Sequence, residues 1–293
     1  MTKERGECGG FYIPLRFPEI SAEVRKAFHF QSFDQRIAEI LNLFFRTDLK
    51  GRELELAVGK LPIRIAAMHH KIAILENWHN PEGSYSGFLK QLYSCTAKEN
   101  AGSPGTWFRI AVRIACLFAA FADMQRMEIT VPIDIAMAGN CFEDITAAVY
   151  ATKMGLPVGK VILARNDDDG IWELLHHGAL EAENLPALAG LETVIFEILG
   201  PAEARKFAAA CNGQETYRIL EDQLSRLNRV LFCAVIRQPR TESIIHNIYH
   251  TNSYLMNSAT AMAYGGLQDY RASHKETGPA WILSDRMPTG TSR

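Results

Sequence analysis

The sequence lacks most of the features that assign a function at sight. Its 31 lysines and arginines are balanced by 33 aspartates and glutamates, the net charge is −2, and no dense Lys/Arg block occurs. Binding to nucleic acid or to an anionic membrane through bulk charge is therefore not expected. The segment Met1-Thr-Lys-Glu-Arg-Gly-Glu7 is charged and has no apolar signal core, so a cytoplasmic location is expected. The longest apolar stretch, Ile110 to Met127, is broken by Arg113 and Asp123 and reads as a buried helix rather than a membrane span. The six cysteines show no CxxC or knuckle spacing, and Cys116 and Cys233 sit in apolar runs as reduced core residues do. There is no GxSxG, no P-loop, no Rossmann fingerprint, no internal repeat and no low-complexity segment.

What remains is a chain of 293 residues, 47% hydrophobic and 22% charged, enough for one large α/β domain with its own core. Ser32 to Phe45 carries apolar residues at helical spacing, with Ser32 as N-cap. Ile72-Ala-Ile-Leu75 reads as a short strand, and Pro104 to Met127 as a long amphipathic helix. The β-branched run Ile129 to Ile135 predicts a strand, Ala138 to Cys141 a turn, Glu143 to Met154 a helix stopped by Gly155-Leu-Pro157, and Lys160 to Ala164 another strand. Strand, helix and strand in that order make a βαβ unit and predict a mainly parallel sheet flanked by helices. Helices dominate from Gly170 to Tyr254, and a last strand covers Trp281 to Leu283. Ser94 to Gly105 is small and polar, a linker by composition.

The histidines do not argue for a metal from their pattern. His246 and His250 share a helix face at i,i+4 but lack the HExxH order, His69-His70 and His79 flank the Ile72 strand, and His176-His177 diverge on a helix. Asp167-Asp-Asp169 reads as a solvated acidic loop, so no metal site is expected.

Four segments, in order, resemble threonine synthase. Gly9-Gly-Phe-Tyr-Ile-Pro14 with Phe17 to Ser21 is similar to that family's "GGLYVPE…P.LS" opening, and Ile74-Leu-Glu-Asn-Trp-His79 to its "VLELFHGPT". Asp144 to Lys160 matches "DILAGYYAKKMGLPVGK" without a gap, and Tyr249 to Arg271 resembles "YLLDPHTAVAAAGLQDYRA". The resemblance implies the large domain of a fold-type II pyridoxal-phosphate (PLP) enzyme that converts O-phosphohomoserine to threonine. In that family a lysine holds PLP as a Schiff base, a Gly-Asn loop at a helix N-terminus holds its phosphate, and a small domain grips the substrate.

The chain departs from the family at each of those points. Anchored on Phe88, Gln91 and Leu92, the lysine position carries Ser86 and the next aspartate position carries Gly87. Lys90, four residues on, is the outside candidate for a displaced amine. The resemblance implies cofactor contacts at Gly139, Asn140 and Cys141, with Glu143 where the family has glycine, and at Asp285 beside the ring nitrogen. A carboxylate at 143 repels a phosphate that the helix dipole attracts. The domain organisation expected is a single threonine synthase-like domain over 1–293, with 1–94 as its N-terminal part, 95–105 a linker replacing the small domain, and 106–293 the remainder. No cofactor is expected unless the family function survives, in which case it is PLP. The expectation is a catalytically inactive homologue; the alternative is a repurposed enzyme or binder that acts without PLP on an amino-acid-derived or phosphorylated metabolite. The partners expected are a small anionic metabolite, if any, and a second copy covering apolar surface that a missing domain would expose.

Overall fold

The structure, a computed structural model, describes residues 17–58, 63–96, 105–125, 131–139, 142–167, 170–184, 190–213, 215–275 and 278–288. The Gly9–Pro14 segment, Asn140, Cys141, Asp168, Asp169 and most of the 95–105 linker lie outside them.

A six-stranded sheet organises the chain, in the spatial order β1 (Arg64–Ala67), β2 (Ile72–Glu76), β8 (Ala280–Ser284), β3 (Ile133–Ala138), β4 (Val158–Arg165) and β7 (Leu231–Val235). Only the β1–β2 pair is antiparallel; the others run parallel. A two-residue ladder, β5 (Ala179–Leu180) with β6 (Tyr217–Arg218), stands apart.

Strand residues alternate between two cores, as a pleated strand buried on both faces must. Ala73, Leu75, Val161, Leu163, Trp281 and Leu283 face one core, with the helices α2 (Phe33–Phe45), α4 (Tyr85–Thr96), α5 (Thr106–Gln125) and α6 (Phe142–Lys153). Ile72, Ile74, Ile162, Ala164, Ala280 and Ile282 face the other, with α11 (Gln238–Asn252) and α12 (Ser258–His274). The result is three layers, helices over both faces of a mainly parallel sheet.

Local chemistry explains where the elements stop. Ser32 caps α2 through a full capping box: its hydroxyl accepts from Gln35 N–H at 3.3 Å and its own N–H donates to the Gln35 side chain at 2.8 Å. Gly155, at φ +98°, ends α6, and Leu156 N–H closes back on the Ala151 carbonyl at 2.9 Å.

Several sequence expectations are adjusted. Of the strand expected over Ile129 to Ile135, Ile129 and Thr130 lie outside the described residues; β3 starts at Ile133, just after Pro132, which cannot donate to the ladder, and continues to Ala138. The helix-dominated stretch from Gly170 to Tyr254 contains β7, an edge strand of the main sheet. A five-residue apolar run carries no period that separates strand from buried helix. The last strand, expected over Trp281 to Leu283, covers Ala280–Ser284 and lies between β2 and β3.

Candidate functional site

Open parallel sheets present ligand sites at the carboxyl ends of their strands. Here those ends carry Glu76 to His79 after β2, Ser284 to Met287 after β8, and Gly139 after β3. The chain beyond β8 then pairs with the approach to α4. Tyr85 N–H donates to the Asp285 carbonyl and Met287 N–H to the Gly83 carbonyl, both at 2.8 Å, and Ser84 bridges Arg286. This clamp fixes the first turn of α4 against the end of β8. A cavity of about 470 Å3 opens beside it, walled by 82–86 and Leu89, by Arg109 of α5, by Glu143 and Asp144 of α6, and by 285–287.

Beneath the cavity lies Arg113 of α5, 1% exposed. Its Nε donates to Asp144 Oδ1 at 2.6 Å and its Nη2 to Asp285 Oδ2 at 2.5 Å, while the guanidinium carbon sits 3.6 Å from the centre of the Tyr85 ring. Burial alone would lower the arginine's pKa, but Asp144 and Asp285 outweigh it and hold the group well above its ordinary value. The remaining nitrogen, Nη1, has no partner among the described residues, and neither does the buried Tyr85 hydroxyl. Burial pushes the Tyr85 phenol well up, against the opposing pull of Arg113. The neighbouring Cys116 thiol is pushed up to about 12 by the same burial. Asp285 is held on its other oxygen by Asn77 Nδ2 at 2.9 Å.

A second polar cluster lies at the end of β2. Glu76, 2% exposed, accepts from the Tyr254 hydroxyl on Oε1 at 2.6 Å and meets His79 Nε2 on Oε2 at 2.6 Å, with Arg64 Nε at 3.7 Å. Burial, and then the bond to Glu76, push the Tyr254 phenol up. Trp78 stacks on His79 and donates to Ser284 Oγ at 3.1 Å, and Thr260 donates to the same oxygen at 2.9 Å.

Of the candidates from sequence, Ser86 lines the cavity from the exposed side of α4. Lys90 lies one turn further, exposed, with its ammonium 3.4 Å from Glu82, and is not part of the cavity wall. Gly87 is set by a close approach: a Cβ there would lie 2.5 Å from Glu82 Cβ, so an aspartate at this position displaces the 80–83 turn. Gly139 stands at φ +92° at the end of β3. Glu143 lies 3.8 Å from Arg109 on the cavity wall. Asp285 is brought together with Asp144 through Arg113, a residue that in the sequence shows only as an interruption of an apolar run.

The chain matches no protein-family model. It is 33% identical over 132 residues to threonine synthase of Eremothecium gossypii, covering 41% of this chain and 25% of that one. It is 24% identical over 200 residues to human threonine synthase-like 1, covering 62% of this chain and 26% of that one. The matched region thus spans about a quarter of the length of these curated relatives. In fold it is similar to PLP-bound threonine synthase from Brucella melitensis, with a TM-score of 0.78 at 16% identity over 96% of this chain and 84% of the other. The yeast threonine synthase gives 0.72 at 14% identity, over 97% and 83%. Four ordered sequence segments, two kinds of curated relative and a shared architecture agree: the chain is similar to the threonine synthases and has their α/β fold, a mainly parallel sheet flanked by helices.

Proposed function

We propose that this chain is a threonine synthase-like protein that does not carry out the PLP chemistry of its relatives. The observation that carries the reading is the ion triad of Arg113 with Asp144 and Asp285. At the position that the resemblance assigns to the ring-nitrogen partner, the Asp285 carboxylate is already held by an arginine and an asparagine.

The other residues fit PLP no better. Imine formation needs an amine, and Ser86 offers a hydroxyl where the family has its lysine. Lys90 is turned to Glu82. Glu143 in the first turn of α6, where the family has glycine, opposes a phosphate at that helix end. Between α4 and α5 the sequence has only residues 97–105, too short a segment to hold a substrate-gripping lobe. The cavity beside the triad remains large enough for a small metabolite, with Arg109 and Arg286 on its wall.

The test is spectroscopic. Purified protein incubated with PLP and then with borohydride is expected to show no internal-aldimine absorption band and no reduced adduct by mass spectrometry. It is also expected to form no threonine from O-phosphohomoserine. An adduct on Lys90, or threonine formation that persists in a preparation free of the host enzyme, overturns the reading.

A further inference from the structure

Of the nine histidines, two meet nitrogen to nitrogen. His246 and His250 lie one turn apart on α11, both exposed, with Nε2 atoms 3.1 Å apart and ring centroids 4.3 Å apart. Ile244 and Ile248, on the opposite face of the same helix, are buried in the core shared with α12 and the sheet. The backbone that presents the two rings is therefore fixed. Glu242 lies one turn earlier on the same row, and its carboxylate accepts a bond from Gln238 at 2.7 Å. The adjacent pairs His69–His70 and His176–His177 hold their rings 6.4 and 6.5 Å apart.

We propose that His246 and His250 form a two-imidazole site for a borderline first-row divalent cation, copper(II) ahead of zinc(II), with Glu242 as an outer carboxylate. Two metal–nitrogen bonds of about 2.0–2.1 Å meeting at roughly 90–109° place their nitrogens about 2.9–3.4 Å apart. The observed 3.1 Å falls inside that bite, so both rings reach one ion without a backbone shift. Without a metal one ring donates from Nε2 to the other; when the ion binds, that ring's proton moves through solvent from Nε2 to Nδ1, so both Nε2 lone pairs face the ion and each imidazole keeps one proton. Imidazole selects copper, nickel and zinc over hard cations, and copper binds ahead of zinc. Among the described residues no third His, Cys, Asp or Glu joins the pair at ligand distance, so water completes the coordination. The site is open and exchangeable, unlike a closed four-ligand structural zinc site. It is independent of the PLP-free reading of the cleft.

The experiment is a calorimetric titration of the tag-free full chain with copper(II) chloride and zinc(II) chloride near neutral pH. Electron paramagnetic resonance of the copper-loaded protein counts the nitrogen ligands. One ion per chain is expected, copper tighter than zinc, with coupling to two imidazole nitrogens. Because the second imidazole closes the chelate intramolecularly, His246→Ala and His250→Ala should each weaken binding by roughly tenfold or more. Glu242→Gln should weaken it less, and His176→Ala should leave it unchanged. These are surface substitutions, and an unchanged circular-dichroism spectrum separates lost binding from lost folding. No tight ion in the parent, an unchanged affinity in His246→Ala, or a loss that follows His176→Ala overturns the proposal.

Discussion

The two buried polar clusters at the carboxyl ends of the strands are built with opposite signs. Around Glu76 a single carboxylate is surrounded by donors, a phenol, an imidazole and a more distant guanidinium, and both of its oxygens are engaged. Around Arg113 a single guanidinium is held by two carboxylates, and one of its nitrogens has no partner among the described residues. Glu76 and His79 stand in a segment that resembles the family's, whereas Asp285 stands at the position that the resemblance sets beside the ring nitrogen. The contrast separates scaffold from site. The Glu76 cluster ties β2 to the α11–α12 connection, a structural duty that does not depend on which ligand the cleft receives. The Arg113 cluster joins α5, α6 and the end of β8 under the cavity floor, where a change of ligand would be felt.

The comparison is broken most directly at its centre. Arg113→Met leaves Asp144 and Asp285 facing each other without a cation, and removing one partner of a buried ion set costs about 3–5 kcal/mol. The denaturant midpoint should fall accordingly. A loss below about 1 kcal/mol would mean that water reaches the carboxylates and that the triad is not a closed cluster. Neutralising both aspartates in the same background should recover much of the loss.

A smaller difference separates the two phenols. Tyr254 donates to the buried Glu76 side chain, so Tyr254→Phe should destabilise by about 1–3 kcal/mol. The buried Tyr85 hydroxyl has no partner among the described residues, so Tyr85→Phe should be neutral within about 0.5 kcal/mol or slightly stabilising. Equal effects would mean that the two hydroxyls are equally satisfied.

The same phenols give an alkaline limit. Burial raises the folded-state values of Tyr85, Tyr150, Tyr217 and Tyr254 above those of the unfolded chain. A raised folded value means stability that is fully present below the unfolded value, about 10, and is lost as pH rises beyond it. The buried thiols of Cys116 and Cys233, also raised, add a loss that starts near the unfolded thiol value of about 8.5. Melting temperature should therefore be flat below about pH 8, decline above it and fall more steeply above about pH 10. The decline should be shallower in Tyr254→Phe, which removes one of the four phenols. A parent whose melting temperature holds past that point would show these hydroxyls ionising in place.

The fold was largely legible because its cues were local. Ser32 announced α2 through its own capping chemistry, and the Asp144 to Lys160 match located α6 and β4 to within a residue or two. The missed pieces were set by tertiary placement. Leu231 to Val235 is apolar whether strand or helix, and becomes β7 because the open edge of β4 offers hydrogen bonds. Nothing near Trp281 tells that its strand enters between β2 and β3. In the site, Ser86 and Asp285 could be found by alignment, since each replaces a residue of known chemistry. Arg113 could not, because a lone arginine in an apolar helix has no pattern of its own. Its signal is the demand of a buried cation for acids, which arrive from positions 144 and 285.

The central position of β8 bears on how the molecule is made. Asn77 and Asp285, bonded across the cleft, are 208 residues apart along the chain. Until the β8 segment leaves the ribosome, β2 and β3 have no strand to pair with between them, and the cavity floor lacks one of its two carboxylates. Translation at about 5–20 residues per second leaves the earlier elements waiting roughly ten seconds or more with two parallel edges open. Such edges, apolar on both faces, are where chains stick to one another, so the growing chain is most exposed to association before its closing strand appears.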